Sequence, residues 1–173
     1  MTRDSAARPL LAGRRSFLLC AGSALLLAGC GFHLRGSAQV PFSTLYLATP
    51  DGSALGAELR RNLLHGSNVQ LVTDPKEAEA RFDLISEGRN REIVSFNSAG
   101  RAREFRLYYT ARYRVWDGKG ADFIAPSDLT LKRDTTNIDD QILAQESQET
   151  FLYRDMVIDM AQQIVRRMAL IKR

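Results

Sequence analysis

The chain has 173 residues, of which 45% are hydrophobic and 25% charged, a balance that suits one globular domain and excludes a disordered polyelectrolyte or a bundle of membrane spans. The formal net charge of +4 is concentrated at the start, where Arg3, Arg8, Arg14 and Arg15 face Asp4 alone before residue 30. Residues 30–173 hold 20 basic and 19 acidic residues, a net charge of +1, which excludes whole-molecule attraction to polyanions and leaves local clustering as the route to anion binding.

Arg14 and Arg15 precede an apolar stretch from Phe17 to Ala28. A run of about a dozen residues suits the apolar region of an export signal and falls short of the ~20 needed to span a bilayer. It ends in Leu27-Ala28-Gly29-Cys30, and two small residues before a cysteine resemble the processing site of bacterial lipoproteins. The expectation is a signal peptide at residues 1–29, cleaved, with Cys30 acylated as the new N-terminus. An ordinary signal peptide with a chance cysteine, or an uncleaved anchor, is the plain alternative. Glycine at position 31, where lipoproteins held at the inner membrane often carry Asp, resembles the outer-membrane class. Arg14-Arg15-Ser16-Phe17-Leu18-Leu19 fits a twin-arginine signal and a merely basic leader equally well. Cys20 lies within the leader, so residues 30–173 have no cysteine pair to oxidise and the fold rests on its core.

Residues 30–42, with Gly31, Gly36 and Pro41, read as a lipidated tether to a single domain at 43–173. Thr44 to Ala48 reads as a first strand, and Pro50-Asp51-Gly52-Ser53 as a turn into a helix. Leu55, Leu59 and Leu63 recur every four residues, with Glu58, Arg60 and Arg61 off that face, and the helix stops near His65-Gly66. Val69 to Val72 is a short second strand, and Lys76 to Glu79 is expected to form one helical turn. Residues 80–96 form a strand with Phe82 and Leu84 turned inward, and Phe96 to Arg101 a hairpin turn. From Arg103 to Trp116 the pattern alternates strictly: Phe105, Leu107, Tyr109, Ala111, Tyr113 and Val115 on one face, polar residues on the other. Such alternation means one buried face and one wet face. Asp117-Gly118-Lys119-Gly120 is a second turn, and residues 122–135 a further strand interrupted at Pro126. Ile138 to Ile171 reads as a long helix whose apolar face runs through Tyr153, Val157, Met160, Ile164, Met168 and Ile171. Asn137 or Asp139 would cap it, and Arg166, Arg167, Lys172 and Arg173 suit its C-terminal dipole. The order β-α-β, β-meander, α implies an α/β two-layer sandwich, with two helices packed on one face of a mostly antiparallel mixed β-sheet.

Catalytic constellations are absent from the pattern. His33 falls in the tether and His65 at a helix end, and no HExxH, CxxC or Gly-rich phosphate loop occurs. Asp139-Asp140 reads better as a dipole partner at a helix start than as a glycosidase pair. No enzyme, metal or cofactor is expected. The arginines are more informative: residues 81–114 hold Arg81, Arg89, Arg91, Arg101, Arg103, Arg106, Arg112 and Arg114 against Asp83, Glu87, Glu92 and Glu104. Guanidinium forks bind phosphate and carboxylate in two-pronged fashion. Arg101 and Arg103, at the hairpin tip, would suit a phosphorylated glycolipid headgroup. The rival reading is a solvated sheet face whose arginines pair across strands with Glu92 and Glu104. Nucleic acid is not expected as a partner in the periplasm.

Cys30-Gly31-Phe32-His33-Leu34-Arg35-Gly36 is similar to the opening of the LPS-assembly lipoprotein family, LptE. Ala99-Gly100-Arg101-Ala102-Arg103-Glu104-Phe105, leading into a long alternating strand, looks like that family's central strand, and Gln141 to Met168 looks like its C-terminal helix. The resemblance implies a two-layer α/β sandwich and a non-enzymatic lipoprotein on the periplasmic side of the outer membrane. It implies a place inside the lumen of the LPS translocon β-barrel, LptD, as plug and assembly partner, and binding of lipopolysaccharide (LPS) during its insertion into the outer leaflet. Cys30 would be the lipidation site, Arg101 and Arg103 would meet LPS phosphates, and Arg106, Arg112 and Arg114 would face the polar barrel wall. Basic residues expected early in the final helix are replaced here by Gln145-Glu146. The alternatives from other classes are a lipoprotein that binds peptidoglycan or serves an envelope transport complex, and a periplasmic hydrolase using His33 or His65.

Overall fold

Strand β1, Thr44–Ala48, opens the sheet, with Leu45 and Leu47 buried and the residues between them half-exposed. It belongs to a computed structural model that describes residues 39–136 and 142–172. Helix α1, Ala54–Gly66, starts where Ser53 caps it, its Oγ accepting from the Gly56 N–H at 2.8 Å. Leu55, Leu59 and Leu63 are fully buried, as the four-residue spacing requires. Glu58, expected off that face, is buried as well, its carboxylate accepting from Arg61 and from Asn62. Strand β2, Gln70–Val72, returns parallel to β1, which is the task of a crossover helix.

Strand β3, Ala80–Phe96, lies parallel to β1 on its other side; β4, Ala102–Trp116, and β5, Asp122–Thr136, follow antiparallel, giving the order β2-β1-β3-β4-β5. Residues 73–79 therefore step past β1. Its N-terminal end holds them: Thr44 Oγ1 donates to the Glu77 carbonyl at 3.0 Å and accepts from the Glu79 N–H at 2.9 Å. The helical turn expected at Lys76–Glu79 is not formed. The segment is a turn with Glu77 N–H bonded to the Asp74 carbonyl, because β1 takes the polar groups that a helix would need.

Helix α2, Ile142–Ala169, packs on α1 and on β4 and β5, so both helices share one face of the sheet. Its fully buried line is Met156, Met160, Ala161, Ile164 and Met168. Tyr153 and Ile171, expected within that line, are only partly buried at its margins. The Tyr153 hydroxyl donates to the Asn90 carbonyl at 2.9 Å, which keeps the ring at the rim. The expected caps Asn137 and Asp139 lie outside the described residues. From β4 every inward residue named above is buried, and Phe82 stacks on Tyr113 at 5.5 Å.

Two β-bulges interrupt β3, at Ile85 and Val94, and each leaves an apolar side chain about half exposed. The first has the larger consequence. Before it Phe82 and Leu84 face the core; after it Glu87, Arg89 and Arg91 sit opposite Ala111, Tyr109 and Leu107 and so share the helix side. Pro126 lies at an irregularity in β5, which is an edge strand where a missing N–H is tolerated.

Gly56 is a point of close approach. A Cβ there would lie 2.6 Å from Thr49 Oγ1 and 2.8 Å from Thr49 Cβ. Gly56→Ala should therefore destabilise the domain by about 1–3 kcal/mol through overpacking, although alanine favours a free helix by ~1 kcal/mol. A urea midpoint equal to the parent's would contradict this packing.

Candidate functional site

The β3–β4 hairpin tip is built by Asn97. Its side-chain oxygen accepts from the N–H groups of Ala99 at 3.0 Å and Arg101 at 2.9 Å, while its N–H donates to the Arg101 carbonyl at 2.8 Å. Gly100 supplies the left-handed conformation the turn needs, with φ 74°. Arg101 and Arg103 are exposed there, and among the described residues neither has a carboxylate within ion-pair reach. Toward the same end of β3 the sequence reasoning overlooked exposed apolar residues: Phe96, opposite Ala102, is 62% exposed, Ile93 46% and Val94 45%. The signal was a phenylalanine written into a turn. The tip thus joins free guanidinium groups to apolar side chains, which is the surface an anionic amphiphile would need.

The wet face of the sheet differs. Arg106 holds Asp134 with two bonds, 2.7 Å from Nε and 3.0 Å from Nη2. That hydrogen bond holds the Asp134 carboxyl below the usual carboxylate range. Arg112 reaches Asp128 at 3.6 Å. Arg114 lies 3.3 Å from Asp83, 3.9 Å from Asp122 and 4.1 Å over the Trp116 ring, whose Nε1 donates to Asp83 at 2.6 Å. Arg81 also lies against Trp116, 4.9 Å from its ring centre, and 5.4 Å from that of Tyr46. The rival reading of a solvated face pairs the arginines with Glu92 and Glu104, but those take hydroxyls instead, from Tyr108 at 2.8 Å and Ser95 at 2.9 Å. Strand β5 brought Asp122, Asp128 and Asp134, which sequence proximity could not show.

On the helix side, Arg91 donates to Glu149 of α2 at 2.8 Å and lies 4.5 Å over Phe105. Arg133 of β5 pairs with Asp159 of α2 at 2.5 Å. Arg89 lies 5.0 Å over the Tyr153 ring. Below them Tyr109 is buried and donates to Glu87 at 3.0 Å, while Ser53 donates to the same oxygen at 3.1 Å; burial, and then the Glu87 charge, push the phenol well up. His65 is an exposed residue in the last turn of α1. Cys30, His33, Asp139 and Asp140 lie outside the described residues. Among the described residues no group of three or more His, Cys, Asp or Glu is placed to hold a metal ion.

Comparison with known proteins follows the same lines. Residues 42–168 match the family model described as "LptE: Lipopolysaccharide-assembly". A relative from Pectobacterium atrosepticum, named LPS-assembly lipoprotein LptE, is 32% identical over 158 residues, covering 89% of this chain and 85% of its own. One of the same name from Yersinia enterocolitica is 31% identical over 161 residues, covering 91% of this chain and 77% of its own. The solution structure of an uncharacterized lipoprotein B from Nitrosomonas europaea superposes with a TM-score of 0.70 at 32% identity, over 80% of this chain and 90% of that one. The crystal structure of the rare lipoprotein B from Shewanella oneidensis shares the fold, with a TM-score of 0.63 at 22% identity over 73% of this chain and 94% of that one. A match that runs from before β1 almost to the end of α2, together with relatives as similar as these over most of their length, means that the chain belongs to the LptE family of LPS-assembly lipoproteins.

Proposed function

We propose that this protein is the plug and assembly partner of the LPS translocon β-barrel, LptD, held on the periplasmic side of the outer membrane by acyl chains at Cys30, and that its hairpin tip binds LPS without catalysing a reaction. Membership of the family implies a part in lipopolysaccharide assembly; the barrel, the anchor and the binding site are our reading. The observation that carries it is the tip. Arg101 and Arg103 stand free of carboxylates among the described residues, next to exposed Phe96, Ile93 and Val94. A phosphorylated lipid offers charge to the first group and acyl surface to the second. The wet sheet face supports the plug reading. Its charges are matched in Arg106–Asp134, Arg112–Asp128 and Arg114–Asp83 pairs, a polar surface suited to a water-filled lumen.

Affinity purification of the intact protein from membranes tests the partnership. A large β-barrel should come down in about equal amount, and its absence would remove the plug from the proposal. The tip is tested separately. Arg101→Glu with Arg103→Glu should weaken LPS binding by roughly tenfold or more, since a charge-assisted hydrogen bond contributes about 1.5–3 kcal/mol. Unchanged affinity with an unchanged urea midpoint would place the LPS site elsewhere. Depletion separates the rival class: loss of surface LPS supports the proposal, whereas retained LPS with an altered wall supports peptidoglycan binding.

A further inference from the structure

Between the first turn of α1 and the middle of α2 runs a groove of about 580 Å³, into which each of three elements brings an arginine: Arg61 from α1, Arg89 from β3 and Arg154 from α2. Three arginines reach toward α2 from the helix side of the sheet, and α2 answers two of them, Arg91 with Glu149 and Arg133 with Asp159. Arg89 is the third. Among the described residues neither it nor Arg154 has a carboxylate within ion-pair reach. Arg89 is held by an aromatic ring, 5.0 Å over Tyr153, which fixes the guanidinium without neutralising it. The lining carboxylate, Glu58, is already taken by Arg61 and by Asn62, the latter at 2.8 Å.

Two more features favour an anion there. Ala54 and Ala57, from the first turn of α1, line the groove, and that turn holds no acidic residue of its own; Glu87, which accepts from the Ser53 cap, meets only part of the helix dipole. Alanine side chains also leave room above that backbone. On the opposite side Val157 and Ile158 add an apolar wall. Arg89 faces this space only because the bulge at Ile85 has inverted the strand. Seven residue steps of strand lead from Arg89 to Phe96, roughly 20 Å at the rise of an extended chain, so the groove is distinct from the hairpin tip.

We propose that this groove is a second anion site, one that binds a phosphate monoester through Arg89 and Arg154, with Val157 and Ile158 receiving whatever apolar body the phosphate carries. Two guanidinium forks beside a helix N-terminus match a dianion with three terminal oxygens better than a single carboxylate, which one fork would satisfy. A lipid-borne phosphate and a free phosphate ion share this chemistry, and the experiment separates them.

The full chain in detergent, carrying Arg101→Glu and Arg103→Glu to remove the tip, would be titrated with three probes: a bis-phosphorylated diglucosamine lipid, the same lipid with its phosphates removed, and inorganic phosphate. The side-chain Nε–H resonance of Arg89 reports occupancy. It should shift with the phosphorylated lipid and stay still with the dephosphorylated one. Adding Arg89→Gln and Arg154→Gln should weaken the phosphorylated lipid at least tenfold, and Arg89→Lys with Arg154→Lys should recover only part of that, since charge without a fork remains. A shift with inorganic phosphate as strong as with the lipid supports the site and assigns it to the free ion. Affinity unchanged by the glutamine pair, or an Arg89 resonance unmoved by every phosphate, overturns the proposal and leaves the reading of the tip untouched. If only the tip variants lose binding, the tip stands and the groove falls.

Discussion

Replacing Cys30 with alanine is expected to abolish fatty-acid incorporation completely, and to leave no species whose intact mass fits an acylated chain beginning at residue 30. In the proposed anchoring the Cys30 thiol would accept the lipid, and a methyl group cannot replace it. Each buried methylene contributes about 0.8 kcal/mol, so several chains supply an attachment that one chain makes only marginal. Among the described residues no helix is long and apolar enough to cross a membrane, so the folded domain offers no helical substitute. Metabolic labelling with a radioactive fatty acid, followed by mass spectrometry of the purified chain, reads both halves of the expectation. A Cys30→Ala chain still cut before residue 30 and still acylated would refute the anchor.

The second large effect lies in the core. Leu59 is fully buried at the centre of the α1 face, between Leu55 and Leu63. Leu59→Ala should cost about 2–5 kcal/mol, the transfer free energy of the lost methyl groups plus the cavity they leave. Against a total stability of roughly 5–15 kcal/mol for an ordinary domain, that approaches loss of the fold. α1 is held mainly by this leucine face and its packing against α2, so a cavity at Leu59 loosens both helices. Leu64 on the outer side, 56% exposed, is the control: Leu64→Ala should stay within about 0.5 kcal/mol of the parent. Equal urea midpoints for the two variants would show that α1 is not packed as described. The test bears on function too, since α1 presents Arg61 and the first-turn backbone to the groove.

The lattice of paired arginines also bears on how the wet face could meet a barrel. The family resemblance turns Arg106, Arg112 and Arg114 toward a barrel wall, and each has a carboxylate within 4 Å. An engaged guanidinium can still present its outer edge, but it brings no unmatched charge to a partner. In the proposed plug the face would therefore contribute polarity and shape, and Arg101 and Arg103 at the tip would contribute net charge.

What could be read from the chain alone was whatever depends on local periodicity. Phe105 to Val115 alternate without a break, so the buried face of β4 followed from the two-residue repeat. The leucines at 55, 59 and 63 fixed the buried face of α1, and Gly100 with Asn97 marked the hairpin. The layers followed from the order of elements, because amphipathic helices and a half-wet sheet have few ways to cover one another. Three things were decided only in three dimensions. The bulge at Ile85 reversed the facing of β3, which no pattern in Glu87 to Arg91 announces, since one extra residue is absorbed by the register of the neighbouring strand. The partners of Arg91, Arg106, Arg112 and Arg133 came from β5 and α2, far along the chain, so their identity waited on topology. The rotation of α2 was set by packing: Met156 and Ala161 went into the core while Tyr153 stayed at the rim, held by its hydroxyl. Local repeats name the face of an element, whereas register, pairing and rotation are settled by what the element is laid against.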